Sequence, residues 1–387
     1  MKRGQMQFET KHIDINKEEW INAQHQALSQ LERNKKEGQK IEQSLILETA
    51  AHNLLTFYRN TELQSNNDLY KDRIYFLPIA SNVKFSIEEM SFDLKTYYQD
   101  KLDEFNLEVN PNVEFKMPDD FSTRVDLFTQ NFIQKYRFKI QSSKETVEAG
   151  DNVEFKIWPS QTPGQAEKYN AVANLESKSP IEQALVGLKV NQVQEIEAFG
   201  TKFTLEVLMI FSYQEMPITD LNVHLLNIPN IKSLADVKTH IYDVTQAQTV
   251  NDEIFSYGEK IMSSILEMNK GKLVIPEDLI ENDIKAFEFS AEFKGDKREV
   301  VVSTIENYFW TILAMKKFNF VITQEDVDSE YKKLSAIISA DQLQQIGGQR
   351  LSNIILFKKL GTIYLQKHQT NEFNKFEKIL KNYFVSK

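Results

Sequence analysis

The 387 residues contain no cysteine. Disulfides, thiolate metal sites and thiol catalysis are excluded by that alone. Glycine (12) and proline (9) are scarce for the length, and a chain with so few tight-turn residues is helix-rich rather than all-β. Tryptophan occurs 3 times, against 26 Phe and 14 Tyr. No window approaches the ~18 apolar residues of a membrane span. The opening "MKRGQMQFETKHIDINKEEW" has positive charge but no apolar run behind it, so no signal peptide is expected. Positive charge is in deficit, with 46 Lys and Arg against 56 Asp and Glu and a net charge of −10. Such a surface does not embrace nucleic acid as a whole, though a local basic patch is compatible with it. These absences point to a cytoplasmic protein with no DNA and no membrane partner.

What is present is a soluble, folded composition, 41% hydrophobic and 26% charged. The length exceeds one ordinary core, so two or three domains are expected. Residues 7–16 read as a strand and 17–36 as a helix. Asn16 caps that helix, with Glu19 at the capping-box spacing. A basic break, "RNKKEGQK", leads to a second helix over 41–59, then two strands, "RIYFLPIAS" and "MSFDLKTYYQD". Residues 119–138 read as a helix. "AGD" turns into the alternating strand of Val153, Phe155 and Ile157, and after a polar loop "SPIEQALVGL" is a short helix. Two more strands, "VQEIEAF" and "KFTLEVLMIFSYQEM", flank a two-residue turn of Gly200 and Thr201. From 230 onward the pattern is helical, with Ile254, Tyr257, Ile261, Ile265 and Leu266 at helical spacing. A further helix starts at Pro276, with Glu277 and Asp278 facing its positive end.

Chemistry is thin. The six histidines have no pair at metal-ligand spacing, no phosphate-cradling glycine motif occurs, and no Ser/His/Asp arrangement stands out. "GGQR" (347–350) reads as a loop-to-helix hinge, with anion binding at that helix start as the alternative. "KKEGQK" and "FKKLG" read as solvated charge runs. No cofactor and no metal site are expected.

The order of these segments resembles the bacterial trigger factor family. "LADVKTHIYDVTQAQTVNDEIFSYGEKIMSSILEMNKGKLVIPEDLIENDI" is similar to the family's first arm, a long helix, a short run ending in "IP" and a returning helix. "VVSTIENYFWTILAMKKFNFVITQEDVDSEYKKLS" is similar to the next pair, and "GQRLSNIILFKKLGTIYLQK" to the closing helix. The resemblance implies an α+β multidomain chain in four parts. An α+β ribosome-docking-like domain spans 1–115 and a linker 116–146. An FKBP-like β-rich domain spans 147–222 and an all-helical chaperone domain with arms 223–387. It implies an ATP-independent holdase that binds exposed apolar segments of nascent or unfolded polypeptides, with the ribosome as a partner and a homodimer through the N-terminal unit.

The family's Gly-Phe-Arg-x-Gly-x-x-Pro docking tip is replaced here by "RNKKEGQKIEQ". Arg33, Lys35, Lys36, Gly38 and Lys40 are what remains, able to meet RNA phosphates without reading sequence. The isomerase pocket is degenerate in the same way. Phe155, Trp158, Tyr169, Ile181 and Phe203 stand at or near it, Ile181 in place of the aromatic floor, and the flap loop is missing. These aromatics are expected in a core, because alternating aromatics fill a sheet face. Prolyl isomerase activity is therefore expected to be weak or lost. An active isomerase and a dedicated-partner scaffold are the alternatives to the holdase.

A holdase needs apolar surface that is exposed but divided into patches too small to aggregate, and methionine adapts to varied clients. The candidates are Phe255, Met262 and Met268 on the long helix, Phe287, Phe289 and Phe293 in "FEFSAEF", and Phe309 and Met315. Each is expected to pack between helices, except the 287–293 run. Residues two apart there cannot all face one partner helix.

Overall fold

The structure, a computed structural model, describes residues 4–35, 40–161, 166–287, 293–335 and 340–384, with backbone only at 340, 341 and 344. The chain divides into two compact units, Met1–Lys116 with Val250–Lys387, and Met117–Thr249. Both are built on antiparallel sheets, and with the helices they make a mixed α+β protein.

The first unit begins with β1 (Gln7–Ile15), α1 (Lys17–Asn34), α2 (Gln43–Leu69), β2 (Ile74–Tyr75), β3 (Ile79–Phe85) and β4 (Met90–Gln99). The strand β4 is central, pairing antiparallel with the other three. Its alternate residues Met90, Phe92 and Leu94 meet Trp20, Ala23, Ala27, Ala50 and Ala51 from the two helices. Four alanines at that seam let α1 and α2 approach closely, while the pleat sends every second β4 side chain inward. The Asn16 side chain accepts from the Glu19 backbone N–H at 2.9 Å, the expected cap. The second helix runs ten residues past its expected end at 59, with half-buried side chains on into its final turns.

Across β1 and β4, His12 Nδ1 sits 2.5 Å from Asp93 Oδ1, and Asn82 Nδ2 donates to the other Asp93 oxygen at 2.7 Å. The Asp93 hydrogen bond holds the imidazole above its ordinary pKa. Hydrogen bonds from Asn82 and then His12 hold the Asp93 carboxyl below its own. A raised histidine favours the folded state fully below its unfolded pKa, and that contribution is lost as pH rises through the folded value. The depressed Asp93 acts in the opposite sense, losing its contribution as pH falls through its folded value. In an NMR titration, Asp93→Asn is expected to return the His12 midpoint toward about 6.5; an unchanged midpoint would refute the clasp.

The second unit holds α3 (Phe121–Gln134), β5 (Arg137–Gln141), β6 (Asn152–Pro159), β7 (Glu167–Val172), α4 (Pro180–Leu185), β8 (Val193–Ala198) and β9 (Thr201–Glu215). Strand order is β5-β9-β6-β7, with β8 also on β9. Val153, Phe155, Ile157, Leu205 and Val207 form one core with Leu185 of α4. A second core joins Phe138 to Ile218, Val223, Val237 and Ile241. The sequence reading missed β5 and β7. The first overlaps only the last two residues of the helix read over 119–138, and the second lies in the stretch read as polar loop. The closing pair of the β8–β9 hairpin is Ala198 with Thr201, so the turn residues are Phe199 and Gly200, one position earlier than expected.

The long helix α5 (Leu234–Met268) gives its first part to the second unit and the rest to the first. Then come α6 (Glu277–Ala286), α7 (Lys297–Lys317), α8 (Gln324–Ser335), α9 (Ala340–His368, interrupted at Gly347 with φ 66°) and α10 (Thr370–Leu380). The Val-Ile-Pro corner between α5 and α6 is stitched to the start of the chain, with Val274 N donating to Gly4 O at 2.9 Å. Asp278, in the first turn of α6, accepts from Lys95 at 2.7 Å and from the Tyr97 hydroxyl at 2.6 Å, both on β4. The sheet of the first unit therefore anchors the return helix. An aromatic seam does the same for α7. Phe309 packs on Phe105 (4.9 Å between centroids) and Phe76, and the Tyr308 hydroxyl donates to Tyr75 O at 2.9 Å.

Candidate functional site

Two open sites include residues singled out from the sequence, one in each unit. In the first unit, a stripe of α5 (Asp252, Phe255, Ser256, Glu259) faces a stripe of α9 (Arg350, Asn353, Ile354, Phe357). Both stripes have i, i+3, i+4, i+7 spacing, which places four residues on one helical face. With Leu334 and Glu330 of α8 they line a groove of about 500 Å³. Phe255 and Phe357 meet edge to face at 5.8 Å and form its aromatic floor, and they and Ile354 are half-buried.

Two features set the spacing of the groove walls. Gly258 and Gly361 lie where α5 and α9 cross. A Cβ on Gly258 would stand 2.0 Å from Phe357 O, and one on Gly361 2.5 Å from Ile254 O. Beneath the groove lies a buried polar network. Lys358 Nζ donates to Glu330 Oε1 at 2.6 Å, and the Tyr383 hydroxyl donates to Glu330 Oε2 at 2.8 Å. The same hydroxyl lies 3.1 Å from Asn251 Oδ1 and accepts from Lys333 at 2.9 Å. Burial pushes the Tyr383 phenol well above its usual pKa and the Lys333 ammonium below its own. Lys359 pairs with Asp326 at 3.0 Å. Lys358 and Lys359 are thus buried, and the reading of "FKKLG" as a solvated face is corrected: both ammonium groups meet carboxylates of α8.

The client-binding residues expected from sequence divide in three. Phe287 (45% exposed), Phe293 (36%) and Met268 (44%) present surface, as do Val321 and Tyr331, which the sequence reading did not single out. Phe255 and Met315 are half-buried. Met262 and Phe309 pack between elements, as expected for each residue singly, and so are not available as client contacts. Met262 belongs to the buried stripe of α5 with Ile254, Tyr257, Ile261 and Ile265, and Phe309 is enclosed by the seam described above. Phe289 lies outside the described residues. Of the basic tip, Arg33, Lys35 and Lys40 are exposed and form no ion pair with a described residue; Lys36 and Gly38 lie outside the described residues. Sequence reasoning missed Ile354, Phe357 and Arg350. Their 3–4 spacing was visible, but nothing in the pattern says that α9 faces α5.

The second site lies on the sheet of the second unit, a cavity of about 580 Å³ lined by Trp158, Pro159, Tyr169 and Phe203, with Ile157 and Glu167. The β pairing explains the gathering. Phe203 is opposite Pro159, and Tyr169 is opposite Phe155, which brings three strands to one sheet end. Phe155 is core, and Ile181 packs against the same core. Phe203 packs against that core as expected and also lines the cavity, whereas Trp158 and Tyr169, likewise expected in a core, line the cavity, with Tyr169 46% exposed. The Tyr169 hydroxyl donates to Glu167, and that bond raises the phenol pKa. Among the described residues, no three His, Cys, Asp or Glu side chains are grouped to hold a metal. No described helix is long and apolar enough to cross a membrane.

No protein-family profile matches this chain, and no curated protein matches it. Among solved structures it is similar to a chain described as "Promiscuous Substrate Recognition in Folding and Assembly Activities of the Trigger Factor Chaperone". That match has 16% identity and a TM-score of 0.31, over 93% of this chain and 97% of that one.

Proposed function

We propose that this protein is an ATP-independent holdase for unfolded or nascent polypeptides. The observation that carries this reading is the α5–α9 groove, whose aromatic floor is open in a part of the chain that also exposes Met268, Phe287 and Phe293. Such separated apolar patches bind weakly one by one and more tightly together, because the first contact raises the effective concentration of the rest. In this reading 223–387 is the client-binding part, 147–222 a degenerate FKBP-like part joined through 116–146, and 1–115 the docking part in the cytoplasm.

Suppression of aggregation of three unrelated denatured clients, without nucleotide, is the test. Phe255→Ala with Phe357→Ala is expected to reduce that suppression at least about tenfold in the protein ratio required, the equivalent of ~1.4 kcal/mol. Protection of one client only would favour the dedicated-partner scaffold, and no protection would refute the reading. Docking through Arg33, Lys35 and Lys40 predicts co-sedimentation with ribosomes at low salt. That association should weaken with Lys35→Ala and Lys36→Ala and with added salt, as phosphate contacts do.

The Trp158–Tyr169–Phe203 cavity supports a second reading, in which a prolyl ring is held there and isomerisation is accelerated weakly. The uncatalysed barrier of ~18–20 kcal/mol would have to fall by desolvation and a few hydrogen bonds. A protease-coupled proline-peptide assay measures it, and a rate at background removes this reading.

A further inference from the structure

Residues 105–116 of the first unit form neither helix nor strand, and helix side chains meet part of their backbone in place of a neighbouring strand. The Ser264 hydroxyl of α5 accepts from Asn110 N at 2.8 Å, and the Tyr364 hydroxyl of α9 donates to Leu107 O. The Gln369 amide takes both sides of one residue, accepting from Phe115 N at 2.8 Å and donating to Phe115 O at 3.1 Å. Pinned at these points, the strap walls a cavity of about 590 Å³ against α5, α9 and Phe318 at the end of α7. That volume is in the range of small-molecule sites, and a wall already held in place needs little ordering when a ligand enters.

The floor is a row of rings. The His368 ring stacks on Tyr364 with centroids 5.6 Å apart, and Phe318 meets Tyr364 edge to face at 5.5 Å. Lys367 Nζ lies 4.3 Å over the Phe318 ring and forms no ion pair with a described residue. Tyr257 adjoins Tyr364, whose phenol is raised above its usual pKa by burial and then by Tyr257. Glu114 of the strap adjoins Tyr257 in turn: burial and then the Glu114 charge push the Tyr257 phenol up to about 12. The row therefore runs from a carboxylate, through Tyr257, Tyr364 and Phe318, to an ammonium. Glu108 adds a second strap carboxylate to the lining. Glu114 pairs with Lys116 at 3.2 Å, but both side chains are exposed, and a ligand displaces such a contact at little cost. Tyr257 is 3% exposed, yet its hydroxyl has no hydrogen-bond partner among the described residues. Polar side-chain atoms sealed without a partner occur on Arg59, Asn67, Arg73 and Gln99. The Tyr257 oxygen is not among them, so it opens into the cavity it lines. A buried hydroxyl left open in this way calls for a partner that comes from outside the chain.

We infer that this cavity binds a small zwitterion with an aromatic body. Its ring lies against Tyr364 and Phe318, its carboxylate meets Lys367, and its ammonium donates to the Tyr257 hydroxyl oxygen beside Glu114. The Tyr257 hydroxyl is thus a ligand-binding group and not part of the fold. The site is separate from the α5–α9 groove and does not rest on the holdase reading.

The test is a ligand-observed NMR titration of the full chain. The probes are para-aminomethylbenzoate and its longer homologue para-aminopropylbenzoate, compared with para-toluate, which has only the carboxylate, and para-methylbenzylamine, which has only the ammonium. At least one zwitterion is expected to bind with a Kd of about 1 mM or tighter, and each single-charge analogue at least about tenfold more weakly. Lys367→Met should reduce the zwitterion to the affinity of the amine, and Glu114→Gln to that of the toluate. Tyr257→Phe should weaken zwitterion binding at least about threefold. Its melting temperature without ligand should stay within about 1 °C of the wild type, because the hydroxyl has no protein partner to lose. Four results overturn the inference: neither zwitterion binding, a single-charge analogue binding equally well, affinity unchanged in both Lys367→Met and Tyr257→Phe, or Tyr257→Phe melting several degrees lower, which would make the hydroxyl a structural group.

Discussion

Glu330→Ala is expected to destabilise the first unit by about 3–5 kcal/mol, because it leaves the Lys358 ammonium buried without its carboxylate. Glu330 is 1% exposed and Lys358 7%. The Tyr383 hydroxyl would lose its acceptor at 2.8 Å in the same step. Glu330→Leu with Lys358→Met, which removes both charges and keeps the volume, is expected to fall within about 1–2 kcal/mol of the wild type or to exceed it. Urea unfolding followed by far-UV circular dichroism measures both. If the single variant costs as little as an exposed ion pair, about 0–1 kcal/mol, the network is not a buried unit. The comparison also bears on the groove, since Glu330 and Lys358 both reach its lining from below.

The second large effect concerns the crossing of α5 and α9. Gly258→Val is expected to cost about 3 kcal/mol or more, the upper range for overpacking, because the added Cβ meets a backbone carbonyl rather than a side chain able to turn away. Gly361→Val should behave alike. Gly348→Ala is the control. Nothing lies within 4 Å of a Cβ built there, so it should be neutral or gain up to about 1 kcal/mol of helix propensity. Phe255 and Phe357 lie within a turn of the crossing, so spreading the helices should also lower client protection per folded molecule. A destabilised but fully protective Gly258→Val protein would show that the groove floor does not depend on the crossing.

These residues also show how far the sequence could be read. The helices of the last third were legible because α5 keeps one apolar stripe from Ile254 to Ile265, and the Asn16 cap was legible because its chemistry is local. What was not legible depends on contacts distant in sequence. Lys358 and Lys359 look like solvent charges until Glu330 and Asp326 arrive from α8. Phe309 is expected to pack, but nothing in its own helix names Phe76 and Phe105 as the rings that cover it. Strand β7 was hidden because its burial barely alternates: it lies exposed at the sheet edge, with only Ala171 half-buried. Trp158 reads as core because it follows the alternating Val153, Phe155 and Ile157 on β6, and it lines the cavity beside Pro159 at the strand's end.

The discontinuous make-up of the first unit has a consequence for biosynthesis. Translation completes 117–249 before Phe309, the partner of Phe76 and Phe105, and Asp278, which accepts from Lys95 and Tyr97 of β4, have been made, so the inserted unit can close its own two cores early. The opening 116 residues must wait, with the greasy sides of Phe76 and Phe105 uncovered, until Tyr308, Phe309 and Trp310 have been made. A protein built this way spends its own synthesis as an unfinished polypeptide of the kind it is proposed to shelter.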